Sequence, residues 1–158
     1  MRTCLVRLDF HQVRHLVRRS IKRFIREADE KYSAFLGRVN PTDHNAYALG
    51  TGIAINNAKK EISLLQDDES KTYSFSDVRS WSWNIETPGR VIATGSLQAH
   101  SQAHAENLRM ALNAKERTGL FINTKDINHP VWHVRLLSRP MIDRWTEILN
   151  QSLGDAAS

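Results

Sequence analysis

At Asn40-Pro41 the apolar residues of this chain change period, and a fold has to satisfy both rhythms. Before that point Val13, Leu16, Val17, Ile21, Phe24, Ile25, Ala28, Tyr32, Phe35 and Leu36 recur at i, i+3, i+4 and i+7. This is the spacing of one face of an α-helix. Gly37 and then Asn40-Pro41 supply the stop. The spacing predicts one amphipathic helix of about 25 residues whose apolar stripe needs a partner surface. Arg14, Arg18, Lys22 and Arg26 recur every four residues and form a separate row on its polar side.

After Pro41 the period falls to two. Residues 46–56 (AYALGTGIAIN) read as extended chain, with Gly50 and Gly52 marking a bend or bulge. Asn56-Asn57 makes a turn, residues 61–66 (EISLLQ) return as a strand, and an acidic turn leads into 71–75. In residues 77–86, simple alternation puts Val78, Ser80, Ser82 and Asn84 on one face and Arg79, Trp81, Trp83 and Ile85 on the other. Pro88-Gly89 signals a hairpin with 90–94 as its return strand. A short helix over 101–115 follows, with Leu108, Ala111 and Leu112 as a thin apolar stripe. Residues 118–124 form another strand. Beyond Pro130, Trp132, Val134 and Leu136 face one way and His133 and Arg135 the other. The closing helix gathers Met141, Ile142, Trp145, Ile148, Leu149 and Leu153, with Pro140 in its first turn. Short strands joined by tight turns, with helices segregated from them, make this an α+β chain.

A chain of 158 residues is long enough to bury one core. No apolar run approaches the ~20 residues that span a bilayer. Arginines at positions 2, 7 and 14 leave no apolar core for a secretory signal. The one cysteine, Cys4, cannot form an internal disulfide, which fits a reducing, cytoplasmic setting. The net charge of +5 is unevenly spread: residues 1–26 carry +7 and residues 27–158 carry −2. Attraction to anions therefore starts at the first helix.

No nucleotide-binding glycine loop, zinc-protease motif or nucleophile elbow is present. His100/His104 and His129/His133 have a spacing that can hold zinc when a third ligand converges. Pro130 breaks the second pair, and no cysteine pair supports either. Asp67, Asp68 and Glu69 lack the pattern of a calcium loop and read as a solvated turn. No metal, cofactor or catalytic residue is expected.

Three stretches carry a resemblance. GTGIAINNAKKEISLL (50–65) is similar to the opening hairpin of small bacterial pleckstrin-homology-like (PH-like) families, YSFSDVRSWSW (73–83) to their aromatic–aspartate strand, and TGLFINTKDINHPVWHVRL with RWTEIL (118–149) to their last hairpin and capping helix. The chain most resembles an uncharacterised bacterial PH-like family, the family of unknown function numbered 4755. The resemblance implies a curved antiparallel sheet with a C-terminal capping helix over 41–158. A helical insertion near 101–115 would interrupt it, and the basic amphipathic helix of 1–40 would precede it. It implies no activity, cofactor or ligand. At the strand start, Asp77 would accept backbone N–H bonds. At least one of Trp81 and Trp83 is expected in the core, and the other is a candidate for a partner site.

The reading that follows is a cytoplasmic, non-enzymatic protein-interaction module. It would act through a sheet edge, the tryptophan strand or the first helix, with self-association through residues 10–36. One form of it is an inhibitor or accessory factor from a mobile element that binds a larger assembly. The alternative is a nucleic-acid-associated protein whose Arg14, Arg18, Arg19, Lys22, Arg23 and Arg26 neutralise phosphates. An anionic membrane surface is a third use for a basic amphipathic helix.

Overall fold

A strand buried on both faces needs a covering layer on each side, and residues Thr51–Asn56 are buried along their whole length. The computed structural model describes residues 10–39 and 42–154, with side chains from residue 22 onward. Cys4, Asn40, Pro41 and the side chains of Arg14, Arg18 and Arg19 lie outside the described residues. Helix α1 runs Phe10–Arg38. Strands β1 (His44–Ala48), β2 (Thr51–Asn56), β3 (Glu61–Gln66) and β4 (Glu69–Ser74) form an antiparallel sheet in that order. A 3-10 turn over Phe75–Asp77 leads into β5 (Val78–Asn84). After α2 (Leu97–Arg117), strands β6 (Gly119–Thr124) and β7 (Val131–Val134) complete a second antiparallel sheet, β5-β6-β7, and α3 (Arg139–Leu153) closes the chain. This is an α+β, PH-like arrangement of two sheets and a C-terminal helix.

The main core lies between the sheets and under α3. Ile53, Ile55, Ile62 and Leu64 come from the first sheet, Leu120, Ile122, Trp132 and Val134 from the second. Ile142, Trp145, Leu149 and Leu153 enter from α3, so the helix buries the stripe that its 3.6-residue period predicts. Met141 of that stripe is exposed. The other face of the first sheet carries smaller residues, Gly52, Ala54 and Ser63, and α1 lies there. Phe35 is 2% exposed, packs with Ala54 and Leu65, and would sit 3.2 Å from a Cβ on Gly52. Polar contacts flank it: Arg38 Nη1 donates to Ser70 Oγ at 2.9 Å, Lys31 Nζ to Asp68 Oδ1 at 2.6 Å, and Tyr32 to Asn45.

Three expectations are corrected. Residues 90–94 are not a strand; the backbone there is irregular. Val91 N donates to Asn107 Oδ1 (2.7 Å) and Val91 O accepts from Asn107 Nδ2 (2.9 Å). One amide of α2 thus satisfies both groups that a ladder would have used. The strand beside β5 is β6, which arrives only after α2. Second, Gly50 closes a two-residue turn between β1 and β2 rather than bending one strand. Leu49 (φ 50°) and Gly50 (φ 78°) are both left-handed, the geometry that matches the twist of a hairpin. Third, strict alternation fails in β5. The register shifts between Val78 and Ser80, so Arg79 is the extra residue of a bulge. Val78 and Trp81 consequently both meet the core, where simple alternation separates them. Asp77 behaves as expected: its Oδ2 accepts from Ser74 N (3.3 Å) and Ser74 Oγ (3.0 Å).

A polar chain ties the sheets together at one end. Trp132 Nε1 donates to Tyr73 Oη (3.0 Å), Tyr73 Oη donates to Asp126 Oδ2 (2.9 Å), and Lys71 pairs with Asp126. The indole N–H of a buried tryptophan is satisfied in this way. The Lys71 ammonium, then the Asn128 N–H, hold the Asp126 carboxyl well below the usual carboxylate range. Burial pushes the Tyr73 phenol up.

Two outcomes follow. A depressed carboxyl contributes stability that is present above its unfolded value near pH 4 and is lost as pH falls through its folded value. Asp126→Asn should lower the melting temperature at pH 7 and flatten the acid dependence below pH 4, read by circular dichroism. An unchanged acid limb would show that Asp126 carries none of it. Phe35→Ala should lower the unfolding free energy by about 3 kcal/mol in urea titration. A loss under about 1 kcal/mol would mean that α1 is held by its polar contacts instead.

Candidate interaction groove

Apolar side chains that converge from different elements, rather than scatter, mark a binding surface. On this protein they converge between α1, the β1–β2 turn, α2 and the segment after β7, around a groove of about 500 Å³. Phe24 (60% exposed) and Ala28 come from α1, Tyr47 from the end of β1, Leu49 from the turn, Leu112 (53% exposed) from α2, and Leu137 from beyond β7.

Each is placed by a local cause. Phe24 and Ala28 lie on the α1 stripe two to three turns before Phe35, past the point where the sheet covers the helix. Leu137 follows the buried Leu136 and therefore points outward. Leu49 is held in a left-handed conformation that a branched side chain rarely adopts. Arg135 Nη1 donates to its carbonyl at 2.9 Å. Thr51 Oγ1, fully buried, donates to Ala48 O (2.8 Å) and accepts from Arg135 N (2.8 Å). The end of β7 thus latches the turn, and the strained Leu49 stays at the groove wall. The expected α2 stripe exists, but it is not core: Ala103 and Ala114 are the buried residues of that helix, and Leu108 and Leu112 face outward.

The rim is mixed in charge. Lys31 pairs with Asp68 (2.6 Å), and Arg135 lies 3.8 Å from Asp67. The Asp68 carboxylate raises the Lys31 pKa, so this rim cation is held charged. The acidic turn is thereby accounted for, since Glu69 lies 3.0 Å from His129 Nε2. His133 stacks on Phe121 (4.5 Å) with Nε2 3.0 Å from Thr118 O, and burial pushes its pKa down. His100 and His104 are exposed on α2. Among the described residues no three of His, Cys, Asp and Glu cluster as metal ligands.

Among the described residues, those singled out from the sequence are not brought together. Lys22, Arg23 and Arg26 are exposed on α1. Arg23 pairs with Glu27 (2.8 Å), and Arg26 Nε lies 3.8 Å from Glu30. The acids one turn on therefore take up part of the basic surface. Trp81 is half-buried against the core and donates its Nε1–H to Asn150 Oδ1 at 3.2 Å, a structural use. Trp83 is 40% exposed, with the Arg139 guanidinium 4.3 Å from its ring centre. It belongs to β5, an edge strand, and neither tryptophan lines the groove. Leu49 and Leu137 were not singled out, and Leu112 was read only as part of the apolar stripe of its helix. The Leu49-Gly50 pair between two apolar runs was a turn signal, but nothing in the sequence placed that turn beside α2.

The comparisons bear on the fold and not on the groove's use. No curated protein and no solved structure matches the chain. The family model described as "Domain of unknown function (DUF4755)" matches residues 43–156, from the start of the first sheet through α3. The match leaves α1 outside, so the groove joins a larger wall from the matched domain to a smaller one, Phe24, Glu27, Ala28 and Lys31, from the helix that precedes it. With its sheets and capping helix inside that match, the chain belongs to the DUF4755 family.

Proposed function

We propose that this chain is a non-enzymatic protein-interaction module of the cytoplasm and that its binding surface is the groove beside α1. The observation that carries this reading is the convergence of Phe24, Leu49, Leu112 and Leu137, from four separate elements, into one exposed apolar concavity. Burying such side chains contributes roughly 25 cal/mol per Å² of apolar surface. A rim of Lys31, Lys115, Glu27 and Glu116 supplies polar contacts of both signs. The strained turn at Leu49, latched by Arg135, presents its wall preorganised, so little ordering is left to the moment of binding. No helix among the described residues is long and apolar enough to cross a membrane. The polyanion reading is weaker, because Glu27 and Glu30 already engage Arg23 and Arg26.

Affinity capture with immobilised protein should retain partner proteins on the wild type and on Ile127→Asp, an exposed control outside the groove (Ile127 is 93% exposed). Leu112→Asp should lose them. Because Leu112 is exposed, its unfolding free energy should change by no more than about 0.5 kcal/mol. Capture that survives Leu112→Asp would overturn the groove assignment. Titration with labelled double-stranded DNA, single-stranded DNA and RNA at two salt concentrations should show no tight binding. Micromolar or tighter affinity that falls steeply with salt, and is lost in Arg14→Ala/Arg18→Ala/Lys22→Ala, would install the nucleic-acid reading in its place.

A further inference from the structure

A row of unpaired backbone groups along a sheet edge is a template for another strand. The two sheets end in β1, β4, β5 and β7. Three of these edges are guarded within the chain. At β7 the N–H groups that point away from β6 are taken by the first sheet: His133 N donates to Gln66 Oε1 (3.0 Å), and Arg135 N, just beyond the strand, to Thr51 Oγ1 (2.8 Å). β4 carries the charges of Glu69 and Lys71, and its Ser74 N–H is capped by Asp77. β1 is flanked by α3, whose Arg144 and Ile148 line a groove with it.

The fourth edge, β5, is open, and the register shows which of its groups are free. Thr124 N donates to Pro130 O (2.9 Å), so Leu120 and Ile122, in phase with Thr124, also turn their backbone groups to β7. Gly119, Phe121 and Asn123 turn theirs to β5, where they face Asn84, Ser82 and Ser80. Glu86 N, in phase with Asn84, points the same way and donates to Thr118 Oγ1 (3.0 Å). The N–H and C=O groups of Trp81 and Trp83 therefore point outward, on the side of β5 that has no neighbouring strand. Ser80, Ser82, Trp83 and Asn84 are exposed. From Ser80 to Asn84 there is no charge and no proline, the residues that usually blunt an edge, and the bulge at Arg79 lies before that stretch.

Such an edge takes extended backbone, and every molecule that carries this edge also carries a strand that complements it. With a two-fold axis at Ser82, Trp81 of one chain lies opposite Trp83 of the other, so the outward N–H and C=O groups of each meet their counterparts. Both indoles project on the α3 side of the sheet, which makes each of these pairs aromatic against aromatic, a favoured cross-strand combination. On the other side Ser82 faces Ser82 and Ser80 faces Asn84, small neutral residues that let the strands approach. Arg79 falls beyond the paired stretch, nearest Ile85 of the other copy. No like charges oppose each other in this register. Trp83, 40% exposed in the single chain, gains cover.

We propose that β5 pairs antiparallel with β5 of a second copy of this chain, about a two-fold axis at Ser82, and joins two three-stranded sheets into one continuous sheet. Such a contact is isologous and closes at two copies. It lies apart from the groove, which stays free for another protein.

The test uses the full chain. Light scattering from about 1 to 100 µM, a range around a micromolar Kd, should give a dimer. Ser82 would face its own copy in a non-hydrogen-bonded pair, where side chains come closest. Ser82→Lys and Ser82→Glu should each raise the dissociation constant at least about tenfold, because like charges directly opposite destabilise a strand pair. An equimolar mixture of the two should recover the dimer as a heterodimer. Leu112→Asp should leave the dimer intact, which separates this contact from the groove. Each variant is checked for an intact melting transition. In a Cys4→Ser background, Ser82→Cys should cross-link on oxidation and Ser80→Cys should not. A wild-type monomer at every concentration would overturn the proposal. So would a dimer indifferent to both charges at Ser82, or one lost only in Leu112→Asp. A mixture that fails to recover the dimer would overturn the two-fold register.

Discussion

Phe35 docks closely because Gly52 has no side chain to hold its ring off. A Cβ on Gly52 would meet the Phe35 ring at 3.2 Å, and with Ala54 beside it the outer face of β2 is shallow enough to take a helix. Much of the remaining architecture follows from that contact. It makes β2 a strand buried on both faces, fixes where α1 leaves the sheet, and so sets Phe24 and Ala28 opposite the Leu49 turn. Arg38, Lys31 and Tyr32 align the helix further, but exposed polar pairs contribute little individually. The apolar contact dominates the docking, since a buried aromatic contributes several times as much.

A second constraint acts on the other sheet. The bulge at Arg79 lets one short strand turn both Val78 and Trp81 toward the core. Two residues later Trp83 is left half-open under Arg139 of α3. The paired tryptophans of the sequence therefore have separate uses. Trp81 is tied to α3 through Asn150, while Trp83 is covered on one face by a guanidinium that is itself paired to Asp143 at 2.7 Å. Stacking of this kind is favourable while the charge stays solvated. At the opposite strand pair, Trp132 shares its polar end with Tyr73 and Asp126, so that the buried indole of β7 is not left without an acceptor.

The parts of the fold that were legible in the sequence are those where burial alone sets the pattern. The docking of the α1 stripe at Phe35, the alternation of Trp132, Val134 and Leu136, and the α3 face each follow from periodicity. The curved antiparallel sheet and its capping helix came from the resemblance carried by residues 50–65, 73–83 and 118–149. What escaped depends on contacts distant in sequence. A bulge adds one residue to an alternating run without altering its composition. Residues 90–94 have strand-like composition, but Asn107 answers the hydrogen bonds of Val91 from another element. The groove draws on positions 24, 49, 112 and 137, and no local pattern joins them. Leu112 was visible as apolar stripe, yet a stripe does not say whether it faces core or solvent.

The charge distribution of α1 bears on the same question from the side of helix stability. Its first turn contains no acid, and the basic residues that follow sit toward the positive end of the helix dipole. Fixed cations there oppose the dipole, by a few tenths of a kcal/mol each at exposed positions. Arg23 and Arg26 recover part of this through Glu27 and Glu30, but Arg14, Arg18 and Arg19 have no acid one turn on. An arrangement that is unfavourable within one chain becomes favourable when an acid-rich surface lies alongside. Within the chain, that balance is met where Glu27 and Glu30 stand one turn beyond Arg23 and Arg26.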